Sequence, residues 1–252
     1  MNLIVIALVV ATIAVAGLLL APRMGRGRVR FDEAPDRPLA FGSDMAWLAI
    51  RSEDTEAVLD MLALGDETAA NWSSGLGTVY DRELGQTRIF VSPPVEGWTF
   101  VAGLALPHPV GPSFVDKCTP LLQRLAARFP DVHYFAALPV VELYAWVRFS
   151  ERRLVRAFAT IDGEVVWSQG KPTRDEVQLG LRHYELRGVK DRSGDAGGEI
   201  VLSPTEEQVF RMAGRWSLDP MTLAGRKAAG PGLGVVGHAP MVWQSERVRR
   251  IA

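Results

Sequence analysis

Apolar positions along this chain follow three different spacings. From Leu3 to Ala21 they form an unbroken run with no charged residue. About 20 such residues span a bilayer as a helix. Farther on, the spacing becomes helical in four places. Over residues 52–64, Ala57, Leu59 and Leu62 are apolar behind an N-cap candidate, Ser52, and an acidic first turn of Glu53, Asp54 and Glu56. Over residues 113–129, Phe114, Leu121, Leu122, Leu125 and Ala126 share one face, and Pro130 ends the run. Thr173 to Glu176 reads as a capping box opening a short helix to about Leu181. Ser203-Pro-Thr-Glu206 reads as a second one, with proline at the first helical position and a helix to about Gly214.

Elsewhere the period is two. Val141, Leu143, Ala145, Val147 and Phe149 alternate with Val140, Glu142, Tyr144, Trp146 and Arg148, which predicts a long strand with one apolar and one mixed face. A second strand has Val155, Ala157, Ala159 and Ile161 on one side and Leu154, Arg156, Phe158 and Thr160 on the other. Asp162-Gly163 reads as a two-residue turn into a third strand over 164–168. With 150–152 as the first loop, Val147 faces Val155, Ala145 faces Ala157 and Leu143 faces Ala159. The mixed face then groups Tyr144 and Trp167 with Phe158, and Trp146 with Arg156. Strands are also expected from 76 to Tyr80 and over 87–91 and 97–106, with Pro93 and Pro94 breaking the last two apart.

These elements describe an α+β protein built on antiparallel sheet. The order α-β-β-β followed by α-β-β-β reads as a candidate duplicated αβββ unit, with C-terminal helices added and one transmembrane helix in front. The expected divisions are a transmembrane anchor (1–22), a basic, proline-containing linker (23–42), a globular domain (43–224) and a flexible tail (225–252). A cleaved signal peptide and a mis-called start, at Met24 or Met45, are the rival readings of the first segment. The retained anchor is favoured because no basic region precedes the apolar run. Arg23, Arg26, Arg28 and Arg30 follow it, so the positive-inside rule predicts a cytoplasmic body on a single-pass protein of the bacterial plasma membrane.

Composition narrows the function classes. The formal net charge of the 252 residues is −1, which leaves no global basic footprint for nucleic acid. The one cysteine, Cys118, forms no intrachain disulfide and reads as a buried core residue rather than a nucleophile. His108, His133, His183 and His238 have no metal-ligand spacing, so no metal and no cofactor is expected. Gly232-Leu-Gly-Val-Val-Gly237 matches the dinucleotide fingerprint as a string, but Pro231 precedes it and Pro240 stops any following helix. Glu142, between Val141 and Leu143, is a candidate acid or base with a histidine such as His133. Its pairing with Arg156 or Arg148 is the preferred reading.

The strings 91–98 (VSPPVEGW), 140–146 (VVELYAW), 154–158 (LVRAF), 170–173 (GKPT) with Leu179-Gly180, and 216–220 (WSLDP) together resemble a scattered family of uncharacterised bacterial proteins. The resemblance covers about 45–223. Some members look like immunity proteins from toxin neighbourhoods, and the resemblance implies no catalytic residue. The combined expectation is a membrane-anchored, non-enzymatic protein that binds a protein partner, in the manner of an immunity-type inhibitor. The expected binding residues are Tyr144, Trp146, Arg156, Phe158 and Trp167, with Glu142 beside them, because aromatic side chains and arginine anchor interfaces. The alternative is a hydrolase-like enzyme using Glu142 with a histidine.

Overall fold

A computed structural model describes residues 31–181, 204–226 and 232–247. The expected anchor, Arg23 to Arg30, His183 and Ser203 lie outside the described residues. No helix among the described residues is long and apolar enough to cross a membrane.

Among the described residues, nine strands form one antiparallel sheet. In chain order they are β1 (Met45–Ile50), β2 (Gly65–Ala70), β3 (Arg88–Val91), β4 (Thr99–Ala102), β5 (Asp131–Leu138), β6 (Leu143–Ser150), β7 (Arg153–Ile161), β8 (Glu164–Gln169) and β9 (Gly234–His238). Their order across the sheet is β2-β9-β3-β4-β1-β5-β6-β7-β8. The described residues also form five α-helices: α1 (Thr55–Leu62), α2 (Trp72–Tyr80), α3 (Cys118–Arg128), α4 (Arg174–Gln178) and α5 (Glu206–Trp216).

Both faces of the sheet are covered, which explains why its central strands are apolar on both sides. Ala46, Leu48 and Ile50 of β1 pack with Val132, Tyr134 and Ala136 of β5 under α1 and α3. Met45, Trp47 and Ala49 point to the opposite face, where Phe135, Trp146 and Phe158 meet Trp72 and Leu76 of α2 and Val209, Met212 and Trp216 of α5. Burial on each side removes apolar area from water at roughly 25 cal/mol per Å².

Local chemistry accounts for the helix ends. Asp54, not Ser52, caps α1, accepting from the Ala57 N–H at 2.9 Å. Thr173 closes the expected capping box with Glu176. The next box is shifted two residues from its expected place: Thr205 caps α5 with Gln208, so Pro204 precedes the helix. The expected strand ending at Tyr80 is instead α2. Asn71 caps it through Ser74 N–H, and Asp36 accepts from the N–H groups of Trp72 and Ser73. That contact, with Phe41 buried, makes residues 31–42 part of the packed body rather than a linker.

Further expectations are corrected. Strand β5 was not anticipated, and Val140 and Val141 lie in an exposed 3-10 turn between β5 and β6. A bulge at Val155 moves the register, so Val147 faces Ala157 and Ala145 faces Ala159. A second bulge, near Val166, turns Trp167 to the α1/α3 face. The expected tail supplies β9, which lies between β2 and β3. The strand order therefore does not repeat as an αβββ duplication would, because β5, β6 and β7 are consecutive neighbours while β2 and β3 are not. Gly234 allows that insertion, since a Cβ there would stand 2.3 Å from the Val91 carbonyl oxygen. The glycine string forms strand β9, followed by a 3-10 turn at Met241–Trp243 rather than the long helix that a dinucleotide fingerprint opens. The Asp162-Gly163 turn is as expected, with φ of 51° and 73°.

Candidate functional site

Strand register places one row of residues across the face that α5 covers: Ala49 on β1, His133 on β5, Arg148 on β6 and Arg156 on β7. Arginines directly opposite one another on neighbouring strands repel. The two are handled differently.

Arg156 is 1% exposed and carries a full set of partners on one side. Its Nε–H donates to Glu176 Oε1 at 2.9 Å and Oε2 at 3.2 Å. Its Nη1 donates to the carbonyls of Ala157, Gln169 and Gly170 at 3.1–3.2 Å, and only Nη2 is left over. Gly170 makes this possible: at φ +81° a Cβ would meet the Val155 carbonyl oxygen at 2.3 Å. Glu176, itself fully buried, also accepts from Trp146 Nε1–H at 3.0 Å and from the Thr173 backbone N–H. One carboxylate thus holds α4, β6 and β7 together.

Arg148 is half-buried, and its cation lies 5.7 Å above the Trp216 ring. Trp216 contacts His133 at 5.9 Å, and His133 contacts Trp98 at 5.1 Å. Arg51, which follows β1 and is exposed, lies 5.2 Å over Trp98. The result is a continuous row of contacts, Arg51–Trp98–His133–Trp216–Arg148, tilted at Trp98–His133 and edge-on at His133–Trp216. Among the described residues no carboxylate pairs with Arg51 or Arg148. His133 is 1% exposed and neither ring nitrogen has a hydrogen-bond partner; Arg148 Nε lacks one as well. Burial, reinforced by the Arg148 charge, depresses the His133 pKa to about 3, so the ring is neutral at physiological pH. The neutral ring adds no third positive charge between the two arginines.

Arg51 Nη1–H donates to the Glu96 carbonyl at 3.3 Å and Arg148 Nε is buried, so an acceptor meets Arg51 Nη2 and the terminal nitrogens of Arg148. The edge geometry matches a carboxylate or phosphate bidentately. The backbones of β1 and β6 flank β5, roughly 10 Å apart. Both arginines are therefore within reach of one acidic segment.

The expected binding residues are distributed otherwise. Trp146 and Phe158 are in tilted ring contact at 4.8 Å and buried, with Arg156, beneath the helical layer. They form core, because α4 and α5 cover the mixed face of the meander. Tyr144 is half-buried and pairs with Thr160 rather than Phe158. Trp167 lies on the opposite face. Glu142 is exposed, at φ +46° in the turn after Val141, and pairs with neither arginine. Leu138 closes β5 beside that turn, and His133 lies roughly 17 Å back along the strand. Glu142 and His133 therefore do not come together. Cys118 is buried under α3's own cluster, and burial raises its thiol pKa well above the ordinary value. No group of three or more potential metal ligands occurs among the described residues.

Fold and row together define an α+β protein with a cationic, aromatic-backed patch at one end of a covered sheet. No protein family, curated protein or solved structure matches the chain.

Proposed function

We propose that this chain is a membrane-anchored, non-enzymatic binding module that recognises acidic groups on a protein partner, as an immunity-type inhibitor does. The apolar run of residues 3–21 is its anchor, and Arg23 to Arg30 hold the body on the cytoplasmic side of a bacterial plasma membrane. The observation that carries the reading is this row of contacts: two arginines that no carboxylate pairs among the described residues lie over Trp98 and Trp216, around a buried histidine kept neutral. Arginine and tryptophan are the side chains that most often dominate interface energy. The aromatic–arginine recognition expected of the sheet is kept, but its residues become Arg51, Arg148, Trp98 and Trp216.

The test is titration of the full chain, in nanodiscs of neutral phosphatidylcholine, with a Glu-rich peptide followed by fluorescence anisotropy. The peptide binds, and added salt weakens it. Arg51→Gln and Arg148→Gln each weaken binding about tenfold, while Arg152→Gln, an exposed arginine of the β6–β7 turn, changes it little. Equal effects from all three variants would refute a built site.

A further inference from the structure

A second site lies at the opposite end of the strands. After β9 the chain continues as residues 239–247, and this strap closes over the loop that joins β4 to α3. It is held there by three contacts. The Val115 N–H donates to the Glu246 carbonyl at 2.8 Å, Lys117 Nζ meets Glu246 Oε1 at 3.2 Å, and Arg247 lies 6.0 Å over Phe114. Between strap and loop is a depression of about 280 Å³, with walls that include Leu106, Pro107, Val110 and Trp243. Its size is just below the range typical of sites for drug-sized ligands.

The polar groups of this depression select among ligands. Lys117 is the charged residue lining it. His108 lines it too, but both ring nitrogens are engaged: Nδ1 accepts from the Tyr134 hydroxyl at 2.9 Å, and Nε2–H donates to the Leu104 carbonyl at 3.1 Å. Burial lowers the His108 pKa, so the ring carries no charge at neutral pH and serves as a fixed wall. The Lys117 ammonium already holds a carboxylate, that of Glu246, whose side chain is 65% exposed. An exposed ion pair of this kind contributes little to stability. Another carboxylate can replace Glu246 at small cost, and an apolar body attached to it gains the burial that Glu246 lacks.

We propose that this depression binds a small carboxylate with a compact apolar body, whose carboxylate takes the place of Glu246 on Lys117. Trp243 and Pro107 supply the flat and apolar walls for the body.

The experiment titrates the full chain, in phosphatidylcholine nanodiscs, with 3-phenylpropionate by isothermal calorimetry, with empty nanodiscs as the blank. The expected result is saturable one-to-one binding, with 3-phenylpropan-1-ol about tenfold weaker. Lys117→Met weakens the acid by about the same factor and leaves the alcohol unchanged. Glu246→Gln tightens the acid by removing its competitor. Val110→Trp fills the depression and abolishes binding of both. As a check that needs no variant to fold, the bound acid gives nuclear Overhauser effects to the Trp243 indole protons. Absence of saturable binding at millimolar concentration overturns the proposal, as does an acid that binds no better than the alcohol. Effects to tryptophans other than Trp243 overturn it also.

Discussion

Arg148 and Arg156 stand opposite each other on adjacent strands, on the same face of one sheet, yet their surroundings differ in kind. Arg156 is sealed under α4 and meets a buried carboxylate that also binds an indole N–H and a helix cap. Arg148 is backed by Trp216 and next to a neutral histidine, and no carboxylate reaches it among the described residues. A buried charge must be paired because the interior cannot solvate it. A half-buried charge keeps water on one side and tolerates having no partner. The difference separates a side chain that organises the fold from one available to a ligand.

The contrast can be broken at several points. The largest effect is expected at Arg156. Arg156→Met or Glu176→Leu alone leaves its partner charge buried and costs about 3–5 kcal/mol. The double variant recovers most of that loss, and a double-mutant cycle in urea reads the coupling. The next effect is a pH dependence. The folded pKa of His133, about 3, lies below its unfolded value of 6.5. The unfolded chain therefore binds more protons below pH 6.5, and stability contributed by the neutral ring is lost as pH falls. Between pH 6.5 and 5 the slope from this residue is up to about 1.4 kcal/mol per unit. His133→Phe should flatten it, as seen in urea midpoints across that range. Some slope remains, because His108 is shifted in the same direction. The smallest effect is expected at the patch: Arg148→Met loses a cation–π contact of about 0.5–1 kcal/mol.

Much of the fold was legible where one face of an element is polar. The β6–β7–β8 meander, its Asp162-Gly163 turn, α1 and both C-terminal helices follow from period and capping residues alone; α3 follows only from Cys118 on, because Phe114 of the expected 113–129 helix is exposed in the loop before it. Strand β5 was missed for the opposite reason. Val132, Tyr134 and Ala136 point to one core and Phe135 and Ala137 to the other, so no polar alternation marks the strand. Strand β9 was hidden by its glycines, which read as tail or fingerprint until Gly234 is seen against Val91. The two bulges are invisible to a period-two count, and they moved Trp167 and Leu154 to the α1/α3 face. The site was less legible still. Trp98, His133 and Trp216 are 35 or more residues apart: the first two meet because β4 and β5 both pair with β1, and Trp216 joins them only through packing of α5 on the sheet. The signal that the sequence does carry is an arginine in the strand row without an acidic cross-strand partner.

The most direct test pairs two measurements on two variants, Arg148→Met and Arg156→Met: the urea midpoint of unfolding and the affinity for the Glu-rich peptide. Arg148→Met should keep its midpoint near that of the parent and lose peptide binding, while Arg156→Met should lose its midpoint. If Arg148→Met unfolds as readily as Arg156→Met, or binds the peptide as the parent does, the two arginines are not different in kind and the recognition patch is core.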